Sequence, residues 1–160
     1  MSNAYLLTGG NLGNRQKSLE QAKALIEKQC GPVLAASSLY ETAAWGKTNQ
    51  PAFLNQALLI ETHLPPGLLL KELLQIEAAC GRIRKERYGP RLIDIDILLY
   101  DDLVMQTGFL TIPHPRLAER RFALEPLAAI APELLHPVFH KTITLLLQEC
   151  ADPLPVKKIS

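Results

Sequence analysis

Residues 82–100 read RIRKERYGPRLIDIDILLY, and the stretch changes character halfway along. Its first half is cationic, with Arg82, Arg84, Lys85, Arg87 and Arg91 interrupted by Glu86 and turned by Gly89-Pro90. Its second half is an apolar run that carries Asp94 and Asp96. Ile93, Ile95, Ile97 and Leu99 alternate with the polar positions, and a period of two predicts a strand with one face buried. The two carboxylates then share the opposite face, roughly 6.6 Å apart along the backbone. Ionised carboxylates at that spacing repel each other and are costly to desolvate. A divalent cation relieves both costs, and Mg²⁺ is commonly held by one or two carboxylates with phosphate oxygens and water completing its shell. Guanidinium forks match phosphate oxygens, so the neighbouring arginines suit the same ligand. The stretch reads as a magnesium–polyphosphate site. Taken singly, a cationic loop is more often a solvated face and D-x-D more often a chance pair; it is their adjacency that favours function. D-x-D also fits a sugar-nucleotide transferase or a nuclease, so the reaction stays open on these residues.

Outward from this stretch, the chain supplies a scaffold for such a strand. The segment 4–8 (AYLLT) is a short apolar strand that runs through Gly9-Gly10-Asn11-Leu12-Gly13-Asn14 into a helix over 15–30, with Leu19, Ala22, Leu25 and Ile26 at helical spacing. The glycines match neither common phosphate-loop pattern and read as a tight strand-to-helix connection. Segments 33–42 and 53–62 read as strands, joined by AAWGKTNQPA at 43–52, a connection long enough to suggest function. Trp45 in it serves equally well as a lid over the core or as a ligand contact. Asn55 sits inside an apolar strand, where an amide needs partners for both its ends. A satisfied structural Asn is the commoner case; a heterocycle with mixed donors and acceptors is the functional one.

Pro65-Pro66-Gly67 opens a second helix over 68–80, after which the cationic stretch and the D-x-D strand follow. The order β-α-β-β-α-β is that of an α+β, ferredoxin-like fold with an antiparallel sheet and both helices on one face. The D-x-D strand is expected at the centre of that sheet. Beyond it come two short extended segments, 103–105 and 109–112, a stiff Ile112-Pro113-His114-Pro115-Arg116 loop, a helix over 117–129 that Pro126 kinks or ends, and a last helix over 142–150. His136 and His140 read as surface residues, and PLPVKKIS as a loose tail.

At 160 residues and net charge +1, the chain fits a single domain over 1–160 whose overall field suits neither nucleic acid nor a membrane surface. The arginine cluster is therefore local, which favours a small anionic ligand. Cys30, Cys80 and Cys150 form no C-x-x-C pair and read as reduced packing residues of a cytoplasmic protein. No stretch reads as a secretion signal or a membrane span. A rival reading is a non-catalytic ferredoxin-like RNA-binding module, but carboxylates on the sheet face would repel a phosphate chain.

RYGPRLIDIDILLY at 87–100, TGGNLGNR at 8–15, ET-AAWGKTNQPAFLN at 41–55 and IPHPRLAERRFALEPL at 112–127 together resemble the 6-hydroxymethyl-7,8-dihydropterin pyrophosphokinases of folate biosynthesis. The resemblance runs from about Ala4 to about Leu135. It implies transfer of pyrophosphate from ATP, as co-substrate, to the pterin hydroxymethyl group with release of AMP; separately, a monomer is expected. Asp94 and Asp96 would hold two Mg²⁺ ions. Arg82, Arg91, His114 and Arg120 would contact the triphosphate, with Arg84 and Lys85 as helpers and Glu77 near the nucleotide. Adenine would be read by main chain around Ile97 and Leu110, Thr111 and Ile112. The pterin would stack between Phe53 and Phe122, with its amino-pyrimidinone edge on Asn55 and on backbone groups of Thr42, Ala43, Ala44 and Trp45. Departures from the family pattern are Gly10 for a frequent serine, Phe53 for tyrosine, Tyr88 for a common tryptophan and Pro115 for tyrosine. Segments 43–52 and 82–90 would close over the substrates.

Overall fold

The computed structural model describes residues 1–43, 51–81 and 93–159. The elements are β1 (Ser2–Gly10), α1 (Arg15–Gln29), β2 (Val33–Ala36), β3 (Tyr40–Thr42), β4 (Phe53–Thr62), α2 (Pro66–Ala79) and β5 (Asp94–Tyr100). They are followed by β6 (Met105–Gln106), β7 (Thr111–Ile112), a 3-10 turn over Leu117–Glu119, α3 (Arg121–Ile130), α4 (Ile143–Glu149) and β8 (Val156–Lys158). The substrate-closing roles expected of segments 43–52 and 82–90 fall largely outside the described residues, as do Ala44, Trp45, Arg82, Arg84, Lys85, Tyr88 and Arg91.

Hydrophobic periodicity accounts for the layers. The main sheet runs β5-β1-β4-β3-β8, with β2 also paired to β4, and every pairing is antiparallel. Taking β2 and β3 as one interrupted strand, this is the fourth–first–third–second order of the ferredoxin-like fold. Leu19, Ala22 and Ile26 of α1 and Leu69, Leu73 and Ile76 of α2 lie at three- and four-residue steps and form the first core with Leu6, Leu54, Leu58, Ile95 and Ile97. The opposite sheet face, with Leu7, Leu98 and Leu99, carries a second core under Leu117, Leu124, Leu127, Ile143 and Leu146. Asn14 caps α1 by accepting from Lys17 N–H (3.1 Å), and Thr142 caps α4 by accepting from Leu145 N–H (3.1 Å).

Gly31 stops α1 at φ +145°, a conformation that suits glycine alone, and an added Cβ would strike the Glu61 carbonyl oxygen. Gly31→Ala is expected to destabilise the fold by about 2–4 kcal/mol through strain and overpacking, read as a lower urea midpoint with unchanged slope.

Several expectations need correction. The D-x-D strand is not central: β5 is an edge strand that pairs only with β1 among the described residues. The backbone of the β7–α3 connection covers part of its outer edge, His114 N–H donating to Leu98 C=O (2.9 Å). A bulge opposite the Tyr5–Leu6 step shifts the register, so Leu99 packs in the second core and Tyr100 in the first, against strict alternation. Segment 33–42 is broken at Ser37, whose hydroxyl accepts from Ala57 N–H (3.0 Å) and donates to Ser38 C=O (2.7 Å), competing with the ladder. The 117–129 helix is a 3-10 turn and then α3, which continues past a buried Pro126. His136 is 3% exposed rather than on the surface; its Nδ1 accepts from Val138 and Phe139 N–H (both 3.2 Å) and its ring stacks on Phe139. The tail is not loose, because Val156–Lys158 forms β8 against β3.

Candidate active site

Residues directly opposite one another in an antiparallel pair project from the same face. Asp94 lies opposite Gly9, Gly9 opposite Asn55, and Asn55 opposite Tyr40; Asp96 lies opposite Leu7, and Thr42 opposite Phe53. The register therefore puts Asp94, Asp96, Asn55, Phe53, Thr42 and Tyr40 on one face, the one covered further along by α3 and α4. The strand periodicity anticipated that the carboxylates share a face. That Asn55 lies in the same cross-strand row as Asp94 is visible only once the sheet is assembled.

Gly9 is the gap in that row. A Cβ there would collide with the Asn55 side-chain nitrogen, so the glycine is required by close approach. Asn55 is 6% exposed, and its Nδ2 donates to Thr8 C=O (3.2 Å), which fixes the amide's orientation. Its Oδ1 is buried and has no partner among the described residues. A buried orphan acceptor of this kind costs about 1–3 kcal/mol, a cost that a ligand donor reaching it would offset.

The TGGNLGNR segment ties together the surroundings of this row. Asn11 Nδ2 donates to Pro51 C=O (3.0 Å), and Arg15 Nη1 donates to Ala52 C=O (3.0 Å) while pairing with Glu41 at 2.7 Å. Arg15 thus ties the end of β3 to the approach of β4. On the other side, Glu77 is buried and its Oε2 accepts from Ile95 N–H (2.7 Å), fixing the backbone between the two aspartates. Neither Gly9, Asn11, Arg15 nor Tyr40 was identified as a site residue from the sequence; the cue for Arg15 was a cation at a helix N-terminus, where the macrodipole disfavours it. Tyr40 keeps its proton well beyond neutral pH, since burial and then the Glu125 carboxylate raise its pKa above the ordinary phenol value.

His114 reaches the same end of the sheet from the β7–α3 connection. Its Nδ1 accepts from Arg116 N–H (3.2 Å), so the neutral ring carries its proton on Nε2. Burial lowers its pKa to about 4, helped by Arg120 and Arg116 and opposed by Asp94, which marks all three as electrostatic neighbours. At neutral pH His114 is an uncharged hydrogen-bond donor. Its folded pKa lies below the ordinary value near 6.5, so the unfolded chain binds the extra proton in between. Folding stability of the metal-free protein is expected to fall as pH drops from about 6.5 to about 4, and His114→Asn should flatten that slope in pH-dependent denaturation.

Arg120 precedes α3, and its guanidinium carbon stands 5.6 Å from the centre of the Phe122 ring. Both are partly exposed, as are Phe53, Asp94 and Asp96, whereas Thr42 is buried and Ala43 is exposed at the end of β3. Ile97, Leu110 and Ile112 are not brought to this face: their side chains lie in the first core, and Thr111 is half-buried in β7, so a ligand would meet them through main chain. Among the described residues no group of three or more His, Cys, Asp or Glu side chains could hold a metal; two carboxylates on one strand face are an all-oxygen set of the kind Mg²⁺ takes and zinc seldom does. Also among the described residues, no helix is long and apolar enough to cross a membrane.

The model of the 7,8-dihydro-6-hydroxymethylpterin-pyrophosphokinase family matches residues 5–132. The chain is 45% identical over 136 residues to the 2-amino-4-hydroxy-6-hydroxymethyldihydropteridine pyrophosphokinase of Methylorubrum extorquens, covering 84% of this chain and 86% of that one. It is 43% identical over 157 residues to the folic acid synthesis protein fol1 of Schizosaccharomyces pombe, covering 98% of this chain but only 21% of that longer protein. In fold it is similar to a crystal structure of a Plasmodium falciparum HPPK-DHPS triple mutant, with TM-score 0.78 at 20% identity over 92% of this chain and 44% of that one. Matched over most of its length by both the family model and a relative of similar size, the chain belongs to the 7,8-dihydro-6-hydroxymethylpterin-pyrophosphokinase family, the pyrophosphokinases of folate synthesis.

Proposed function

We propose that this chain, as one catalytic domain over 1–160 acting as a monomer in the cytoplasm, transfers the terminal pyrophosphoryl unit of ATP to the hydroxymethyl group of 6-hydroxymethyl-7,8-dihydropterin. The pterin hydroxyl oxygen bonds to the β-phosphorus, the bond from that phosphorus to the α,β-bridging oxygen breaks, AMP leaves, and the hydroxyl proton passes to solvent. The observation that carries the reading is the orphan Asn55 Oδ1 in the same cross-strand row as Asp94. A pterin offers its ring N–H and amino donors to such an acceptor, and so would lie beside the carboxylates.

Asp94 and Asp96 would hold two Mg²⁺ ions, which would supply charge neutralisation on the phosphates and polarise the attacking hydroxyl. The remaining work falls to the chain. Phe53 and Phe122 stack on the pterin from opposite sides, and backbone groups of Thr42, Ala43, Ala44 and Trp45 complete its edge. Arg120 and the uncharged Nε2–H of His114 donate to the triphosphate, together with Arg82, Arg84 and Arg91. Main chain around Ile97 and Leu110, Thr111 and Ile112 reads the adenine. Glu77 acts through β5, holding the aspartates in register.

Calorimetric titration with 6-hydroxymethyl-7,8-dihydropterin, in Mg²⁺ and the non-reacting analogue α,β-methylene-ATP, tests this reading. Saturable one-to-one uptake of the pterin is expected. Uptake of a sugar nucleotide instead, with no pterin bound, would reject it.

A further inference from the structure

α3 begins at Arg121, directly after Arg120, which puts two cations at the end of a helix whose dipole already makes it positive. Arg120 stands at the capping position and makes no side-chain cap. The cap comes instead from far along the chain. Arg121 N–H donates to Asp152 Oδ2 (3.1 Å), and the Arg121 guanidinium turns back, Nε to Asp152 C=O (3.2 Å) and Nη2 to Cys150 C=O (2.8 Å). The other Asp152 oxygen, Oδ1, accepts from Leu154 N–H (3.0 Å), so the carboxylate also shapes its own turn.

The same short segment reaches the opposite side of the site. Pro155 C=O accepts from Thr42 Oγ1 (2.8 Å), and β8 pairs with β3, Val156 opposite Thr42 and Lys158 opposite Tyr40. One end of residues 150–158 is therefore fastened to the helix start that carries Arg120 and Phe122. The other end is fastened to the strand opposite Phe53 and Asn55.

We propose that residues 150–158 are a brace that sets the spacing between these two sides, with Asp152 and Arg121 as positioning residues for the pterin site; this rests on the functional reading above. The Asp152 carboxylate caps the first turn of α3 and the Arg121 guanidinium is held on the Asp152 and Cys150 carbonyl oxygens, which leaves the Arg120 charge directed at ligand and the Phe122 ring at a set height over the sheet. Neither residue need touch substrate.

The test is the kinetics of AMP formation in wild type, Asp152→Ala and Asp152→Asn, run well below their melting temperatures. Asp152→Ala is expected to raise the pterin KM about tenfold, the scale of a lost helix cap, with a smaller change in kcat. Asp152→Asn keeps a side-chain acceptor and is expected to recover most of the loss. A residue that merely holds the fold would lower the melting temperature and leave both constants unmoved, and that result would overturn the brace. Should Asp152→Ala not fold, Arg121→Met retains the Asp152 cap on the backbone and drops the guanidinium bonds; an unchanged pterin KM there would count equally against it. A wild-type protein that makes no pterin-dependent AMP would instead sink the functional reading. The brace is then judged by hydrogen exchange in Asp152→Ala. Faster exchange at both 121–124 and 40–42 supports it, and change confined to 150–155 overturns it.

Discussion

Asp96→Ala is expected to lower pterin-dependent AMP formation by at least about 10³-fold in kcat/KM, corresponding to about 4 kcal/mol of lost transition-state stabilisation. Asp96 sits on an edge strand opposite Leu7, half-buried, with Asp94 two residues away on the same face. Removing one carboxylate leaves Asp94 alone of the pair, too little to hold two hard cations in a fixed relation to the phosphates. The packing of β5 depends on Ile95 and Ile97 on the other face, so the melting temperature should move little. Initial rates with and without added Mg²⁺, alongside a melting curve, separate the effects. A folded variant within tenfold of wild type would mean that the metals are held elsewhere.

Asn55→Leu is expected to abolish measurable pterin affinity, by about 10²-fold or more, while leaving stability almost unchanged. The Nδ2 bond to Thr8 contributes about 0.5–1.5 kcal/mol, and the orphan Oδ1 costs about 1–3 kcal/mol in the empty protein, so replacing both by methyl groups roughly cancels. Gly9 leaves room opposite for a side chain of similar shape. Loss of the acceptor leaves ring donors of the pterin buried and unpaired, which a site built for hydrogen bonds penalises heavily. The opposite pattern, a lower melting temperature with pterin affinity retained, would make Asn55 a structural residue. Calorimetry and thermal denaturation of one variant decide the matter.

The parts of the fold legible in the sequence are those set by local periodicity. The strand over 53–62, the two helices on the first face and the D-x-D strand all follow from apolar spacing that alternates by two or steps by three and four. Long-range pairing was not legible. Nothing in PLPVKKIS marks it as a strand, since β8 exists only because β3 offers an open edge more than a hundred residues earlier in the chain. The same holds for the D-x-D strand's place at the edge and for the bulge that turns Leu99 to the second core. His136 looked like a surface residue because a buried imidazole differs from an exposed one only in its partners, here two backbone N–H groups from its own turn.

The site was legible in its chemistry more than in its assembly. Asp94 and Asp96 drew notice as charges in an apolar run, and Asn55 as an amide in another. Their common row across the sheet depends on two registers that no local pattern fixes. The glycine-rich spacing makes Gly9 look like a turn residue, whereas it belongs to the last part of a strand and is kept small by the Asn55 side chain. Asp152 carried no sequence signal at all, because its partner Arg121 lies in a different element.

Incubation with ATP, Mg²⁺ and 6-hydroxymethyl-7,8-dihydropterin, followed by separation of the nucleotides, tests the central claim most directly. The account predicts AMP in amounts equal to the pterin consumed, and none without pterin. ADP as the pterin-dependent product would contradict it, since a single phosphoryl group would then have moved.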